Sequence, residues 1–201
     1  MPVFDPQHLQ GVCQRVLDEG QSELDPLFDR LTSALAEAYP GLIDTGPRDW
    51  VLNNAGGAMG QMTLLYASLT EYLLLFGTPV GTEGHSGRYR TDVYDIVLDG
   101  EMWTYIEGEI HRTVTEPGQM AFLGPGRAKG YRVPDHCWML EYSRGFVPAM
   151  LPFGLADSLT STLDLRTVGR TFGTYTRHVL RSFAGQGRRT DATPKARTTA
   201  S

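Results

Sequence analysis

The chain has 201 residues, 41% hydrophobic and 20% charged, with a formal net charge of -5. This composition supports a packed core in one domain with helical additions and excludes a disordered chain; the acidic balance gives no reason to expect a nucleic-acid partner. Cys13 and Cys137 are too few and too far apart for a disulfide framework. The opening Met1-Pro2-Val3-Phe4-Asp5 has no basic stretch leading into an apolar one, so no signal peptide is expected. No apolar run reaches the roughly 18–20 residues of a membrane span, which points to a cytoplasmic protein.

The first part of the chain, to about Phe76, reads as helical. Pro6 to Leu17 and Glu23 to Tyr39 have amphipathic spacing, with Leu27, Leu31, Leu35 and Ala38 on one stripe and Pro40-Gly41 as the stop. Gly56-Gly57-Ala58-Met59-Gly60 permits close backbone packing; it lacks the Gly-Lys-Ser/Thr ending and the preceding strand of a phosphate loop. Gln61 to Phe76 is apolar nearly all round and predicts a buried helix.

From about Gly84 to Gly145 the pattern changes to strands. Turn signals recur at Asp99-Gly100, Glu107-Gly108, Pro117-Gly118, Gly124-Pro125-Gly126 and Pro134-Asp135, separated by short runs of Val, Ile, Tyr, Trp and Thr. That spacing predicts a small closed jelly-roll of the cupin type, and so an α+β fold. Such barrels often hold a metal, but His85, His111 and His136 stand alone, without a His-x-His pair or a Glu at ligand spacing. No metal and no cofactor are expected.

Pro148 to Leu163 predicts an apolar helix, and a second helix follows, capped by Asp164. Its apolar stripe reads Leu165, Val168, Phe172, Tyr175, Val179 and Phe183; Arg166, Arg170, Arg177 and Arg181 occupy another face. A basic amphipathic helix of this kind suits a membrane surface or a helix packed on the barrel with its Arg face solvated. Residues 1–185 are expected to form one domain, with 186–201 as a disordered tail.

Two carboxylates interrupt apolar, aromatic strands. Asp95 lies in Val93-Tyr94-Asp95-Ile96-Val97-Leu98 and Glu141 in Cys137-Trp138-Met139-Leu140-Glu141-Tyr142. Alternation puts Asp95 on a face with Val93 and Val97, and Glu141 on a face with Met139. Two carboxyls in one apolar cavity share a proton and split into an acid and a base, which suits moving protons on and off carbon. The structural alternative is a buried ion pair or hydrogen bond with Arg88 or His136.

Several longer motifs carry a resemblance. Gly84-His85-Ser86-Gly87-Arg88-Tyr89, Asn54-Ala55-Gly56-Gly57, Ala67-Ser68-Leu69-Thr70-Glu71-Tyr72-Leu73-Leu74-Leu75-Phe76-Gly77, the Gly124-Pro125-Gly126 turn and Trp138-Met139-Leu140-Glu141-Tyr142-Ser143-Arg144-Gly145 resemble the family of fungal sterol C-8 isomerases and the animal sigma non-opioid receptor. The resemblance spans about Phe4 to Phe183. It implies a cupin-like barrel with N-terminal helices and two C-terminal helices over its mouth. It also implies that Asp95 and Glu141 correspond to the family's two essential acidic residues.

The isomerases move a ring double bond of a sterol, and the receptor binds lipophilic amines, which mimic a carbocation. Asp95 is expected as the acid and Glu141 as the base or cation partner, with the two roles open to exchange because the pair shares a proton; Tyr72, Phe76, Tyr89, Trp103, Tyr105 and Tyr142 are candidate aromatic partners of the positive charge. The family's eukaryotic members begin with a membrane helix that is not seen here. The receptor has tryptophans at the positions of Ala58, Val133 and Arg90, so the pocket wall is partly different. Three functions stay open: a sterol or terpenoid double-bond isomerase, a terpenoid or polyene cyclase using the same acid, and a binding protein for hydrophobic amines or sterols. Peripheral membrane contact through the C-terminal helices and a homo-oligomer, a trimer, joined through the barrel flank are further expectations.

Overall fold

The computed structural model describes residues 2–190, with side chains to residue 183. Helix α1, Pro6–Asp18, begins where the Asp5 carboxylate accepts the His8 N–H at 2.8 Å and Pro6 occupies the first turn. It buries Leu9, Val12, Cys13 and Val16, a one-sided helical spacing; α2, Leu24–Ala38, buries Leu27, Phe28, Leu31 and Leu35 in the same way. Both helices pack on one face of a sheet, against Leu73, Leu75, Tyr94, Ile96, Trp138 and Leu140.

Ten strands follow among the described residues: β1 Val51–Ala55, β2 Ala58–Ala67, β3 Glu71–Thr78, β4 Thr82–His85, β5 Asp92–Gly100, β6 Met102–Ile106, β7 Thr113–Thr115, β8 Met120–Leu123, β9 Lys129–Val133 and β10 Cys137–Arg144. Every pairing is antiparallel. One sheet has the order β1-β2-β3-β10-β5-β8 and the other β4-β9-β6-β7. Without the added β1 and β2, the order β3-β10-β5-β8 opposite β4-β9-β6-β7 is that of a jelly roll. The fold is therefore α+β and cupin-like, as expected. Its second core lies between the sheets and includes Tyr72, Leu74, Phe76, Val97, Met102 and Met139.

The predicted helix over Gln61 to Phe76 is a hairpin instead. β2 and β3 are joined at Ser68, whose hydroxyl accepts the N–H groups of Thr70 and Glu71 at 3.2 and 3.0 Å. The reason is burial on both faces: Leu73 and Leu75 face the helices while Tyr72, Leu74 and Phe76 face the barrel. Such a strand is a continuous apolar run, which periodicity cannot separate from a buried helix.

The C-terminal segment is also divided differently. Val147–Ala149 is a 3-10 turn, α3 spans Leu151–Thr160, and α4 spans Leu165–Thr190 behind the Asp164 cap, where Thr167 N–H meets Asp164 Oδ1 at 3.0 Å. Helix α4 passes the expected boundary at 185; residues 191–201 lie outside the described residues. The face of α4 turned to the protein carries Thr167, Thr171, Tyr175, His178 and Val179, whereas Leu165, Phe172, Leu180 and Phe183 are 48–68% exposed. The expected apolar stripe is thus split between two faces.

Candidate functional site

Strand alternation and register place the two carboxylates. In the β5–β10 pair Glu141 stands directly opposite Asp95. Asp95 shares its face with Val93, and Glu141 with Met139; all four line a cavity between the sheets. The rest of the wall is largely apolar, including Met62, Leu74, Phe76 and Met102. Met150, Leu151 and Phe153 close one side from the turn before α3 and from α3 itself, with Tyr175 of α4 beside them. Hydrogen bonds tie this cover to the strands. Gly57 N–H donates to Asp157 Oδ2 at 2.9 Å, and the Tyr175 hydroxyl donates to the Ser68 carbonyl at 3.0 Å.

Each carboxyl has its own partner. The Tyr72 hydroxyl donates to Glu141 Oε1 at 2.5 Å. Lys129 Nζ donates to Asp95 Oδ2 in an ion pair whose two side chains are 9% and 5% exposed. Burial pushes the Glu141 carboxyl up to about 7, and the Asp95 charge pushes the same way. The Tyr72 hydrogen bond and Lys129 oppose that rise. Tyr72 is itself pushed well up, by burial first and by Glu141 next. Tyr89 and Tyr131 are raised for the same two reasons and in the same order, so these rings stay neutral.

Of the sequence-predicted residues, Asp95, Glu141, Tyr72, Phe76 and Tyr89 meet at the cavity. Trp103 and Tyr105 do not. Met102 takes the inward position on β6, so Trp103 turns outward beneath the Arg112 guanidinium, 3.7 Å from its ring centroid, and Tyr105 is 54% exposed. Tyr142 follows Glu141 in a strand and points to the opposite face, where its hydroxyl donates to Glu71 Oε1 at 2.7 Å. The anticipated ion-pair partners lie elsewhere: Arg88 reaches Glu107 at 3.2 Å, and His136 reaches Asp99 and Asp135 at 3.1 and 2.9 Å.

His85 borders the cavity and accepts the Gly87 N–H on Nδ1 at 2.9 Å; His111 is exposed. Among the described residues no three His, Cys, Asp or Glu side chains cluster as a metal site.

Lys129 and Tyr131 are site residues with a weak sequence signal. They open a short strand directly after the Gly124-Pro125-Gly126 turn, and a lysine there reads as solvated surface. Only the period-two set Lys129, Tyr131, Val133 hints at an inward face. Tyr175 and Phe153 reach the cavity through helix placement alone, which no local pattern encodes.

The family model described as ERG2 and Sigma1 receptor like protein matches residues 1–186. The C-8 sterol isomerase of Mycosarcoma maydis is 48% identical over 177 residues, covering 84% of this chain and 73% of that protein. The sigma non-opioid intracellular receptor 1 of Gallus gallus is 42% identical over 154 residues, covering 76% of this chain and 69% of that protein. Among solved structures, an RmlC-like cupin from Shewanella frigidimarina matches 49% of this chain and 84% of its own, with a TM-score of 0.42 and 17% identity.

Proposed function

This chain belongs to the family of ERG2 and Sigma1 receptor like proteins, and from that premise we propose that it is an isomerase moving a carbon-carbon double bond of a sterol by one position. The observation that carries this reading is the facing of Asp95 and Glu141 across β5 and β10 in the wall of an apolar cavity. Like charges so placed favour a state in which one carboxyl holds a proton and the other does not.

In this reading the protonated carboxyl delivers its proton to one alkene carbon. The π electrons form the new C–H bond and leave a cation on the adjoining carbon. Carboxylate charge stabilises that cation, and the ring faces of Phe76, Tyr89 and Tyr131 do so without attacking it. A carboxylate then takes a proton from the neighbouring carbon, and those C–H electrons become the new double bond. One proton enters and one leaves; no electron is exchanged, so the chemistry calls for no redox cofactor.

The test is incubation of the purified protein in heavy water with unsaturated sterols and with linear and cyclic terpenoids, read by mass spectrometry. A shifted double bond carrying deuterium, lost in Asp95→Asn and Glu141→Gln variants that still fold, is the expected result. A new ring in place of a shifted bond would make the protein a cyclase. Stabilisation by sterols or lipophilic amines without any turnover would make it a binding protein and sink the isomerase reading.

The same reading places the protein at a membrane surface. Helix α4 turns Leu165, Phe172, Leu180 and Phe183 outward, beside an exposed face bearing Arg166, Arg170, Arg177 and Arg181, of which Arg170 and Arg181 pair with Asp49 and Asp44. An apolar stripe bordered by guanidinium groups suits the boundary of an anionic bilayer, where a hydrophobic substrate resides. Among the described residues no helix is long and apolar enough to cross a membrane.

A further inference from the structure

Lys129 opens β9, in the sheet opposite the one that carries Asp95 and Glu141. Its side chain therefore crosses the barrel interior to reach Asp95 Oδ2. The backbone holds the starting point of that reach: Lys129 N–H donates to Ser86 Oγ at 2.9 Å, and Ser86 N–H donates to the Lys129 carbonyl at 3.0 Å. Glu141 is hydrogen-bonded to the neutral Tyr72 hydroxyl instead.

Burying an ammonium in an apolar cavity is unfavourable unless an anion meets it there. One ammonium beside two carboxyls makes the cavity neutral when a single carboxyl is ionised, and the ionised one is the one in contact. We infer that Lys129 is a positioning residue for the pair: its ammonium keeps Asp95 as the carboxylate, so that the proton the reaction moves resides on Glu141. This rests on the double-bond isomerisation proposed above and reverses the assignment of acid and base expected from the sequence.

Charge bookkeeping along the reaction fits one ionised carboxyl beside Lys129, and the contact with Asp95 decides which one. Before proton transfer the cavity holds Lys129 as the cation and Asp95 as the anion. After transfer it holds the Lys129 and substrate cations with the Asp95 and Glu141 anions. Both states are neutral, so the proton moves without building net charge in a medium of low dielectric constant. Without Lys129 the neutral resting state would hold both carboxyls protonated, and the cation would then face one carboxylate.

The other titratable groups around the pair are Tyr72 of β3, His85 of β4, Tyr131 of β9, Cys137 of β10, Tyr175 of α4 and Tyr89 in the segment between β4 and β5; burial first and Asp95 next push the Cys137 thiol up to about 12. The tyrosines are all shifted upward, mainly by burial, and stay neutral through the range concerned. His85 sits at the cavity border, so a His85→Gln variant serves as a control for its contribution.

The experiment is carbon-13 NMR of side-chain carboxyls in the full chain, on wild type, Lys129→Met and Lys129→Arg, with Asp95→Asn and Glu141→Gln to assign the signals. The pH dependence of kcat and of KM for an unsaturated sterol is measured beside it. In wild type the Glu141 carbon should titrate near neutrality, with Asp95 remaining the carboxylate in contact with Lys129. In Lys129→Met the Glu141 titration and the alkaline limb of kcat should both rise, by about one pH unit. Lys129→Arg should restore both, which a role limited to packing would not require.

Either of two results overturns the proposal. One is a wild-type Glu141 carbon that is ionised at about pH 6 while Asp95 is protonated, a result that needs no variant to fold. The other is a folded Lys129→Met protein with unchanged titrations. Carboxyl titrations as expected, but with no sterol turned over, would count against the isomerase reading and leave the role of Lys129 standing.

Discussion

The Tyr72 hydroxyl lies 2.5 Å from Glu141 Oε1 and donates a hydrogen bond to that carboxyl. As a donor it stabilises the ionised form of Glu141. Tyr72→Phe keeps the ring and removes the bond. The alkaline limb of the pH–rate profile should then move upward by about one unit, since a hydrogen bond to a charged group contributes about 1.5–3 kcal/mol and part of it is recovered by relaxation. A profile unmoved by Tyr72→Phe would separate the catalytic proton from Glu141.

The raised Glu141 carboxyl also makes stability depend on pH. Between about 4.5, its ordinary value, and about 7, the folded protein binds this proton more tightly than the unfolded chain does. Stability from this group is therefore fully present at the low end of that window and is lost as pH rises through about 7. Urea unfolding of wild type against Glu141→Gln across the window checks it: the stability difference between them should shift in favour of the variant as pH rises.

Glu71 supports the site from behind without touching the cavity. It is 2% exposed and accepts from the N–H groups of Val3 and Phe4, at 2.9 and 3.3 Å, and from the Tyr142 hydroxyl at 2.7 Å. Glu71→Ala leaves the Val3 and Phe4 N–H groups without this acceptor and the Tyr142 hydroxyl with only the Phe4 carbonyl at 3.3 Å, and about 3 kcal/mol of stability should be lost. Tyr142→Phe should lose about 1–2 kcal/mol. Denaturant titration measures both losses, and turnover per folded molecule should hold at permissive temperature.

Gly77 lies opposite Trp138 in the β3–β10 pair. A Cβ there would fall 2.4 Å from the indole ring and 2.5 Å from the Cys137 carbonyl oxygen. One contact is backbone, so the strain cannot be relieved by a rotamer change alone. Gly77→Ala should destabilise the protein by about 2–3 kcal/mol, read as a lower denaturant midpoint.

Phe172 and Leu180 are 48% and 63% exposed on the outer face of α4. Replacing both with Asp should abolish flotation with anionic vesicles while changing stability little. Wild-type flotation should weaken with salt, because each arginine near an anionic surface contributes about 1 kcal/mol and is screened within a Debye length. Salt-independent or absent flotation would remove the membrane-surface assignment.

The strand pattern was legible where one face differs from the other or where turns punctuate the chain. The alternation around Asp95 and Glu141 correctly placed both on one side of their strands, and the turn signals marked most of the jelly roll. It failed for β2 and β3 because α1 and α2 cover the outer face of that sheet, which erases the contrast between faces. The buried face of α4 was hidden for a different reason. Its threonines, Thr167 and Thr171, are buried against the protein beside Tyr175 and Val179 while its leucines face outward, so hydrophobicity alone merged two faces into one stripe.

The sequence by itself determined the jelly-roll class, the two N-terminal helices and the identity of two carboxylates among apolar neighbours, because these depend on side-chain period and on turn residues close in the chain. Only the tertiary structure decided that Asp95 meets Glu141, that Lys129 crosses from the opposite sheet to Asp95, and that Trp103, Tyr105 and Tyr142 turn away from the cavity. The Lys129–Asp95 and Tyr142–Glu71 contacts join residues 34 and 71 positions apart. They follow from strand register and sheet closure, in which each pairing is set by the fit of the whole core.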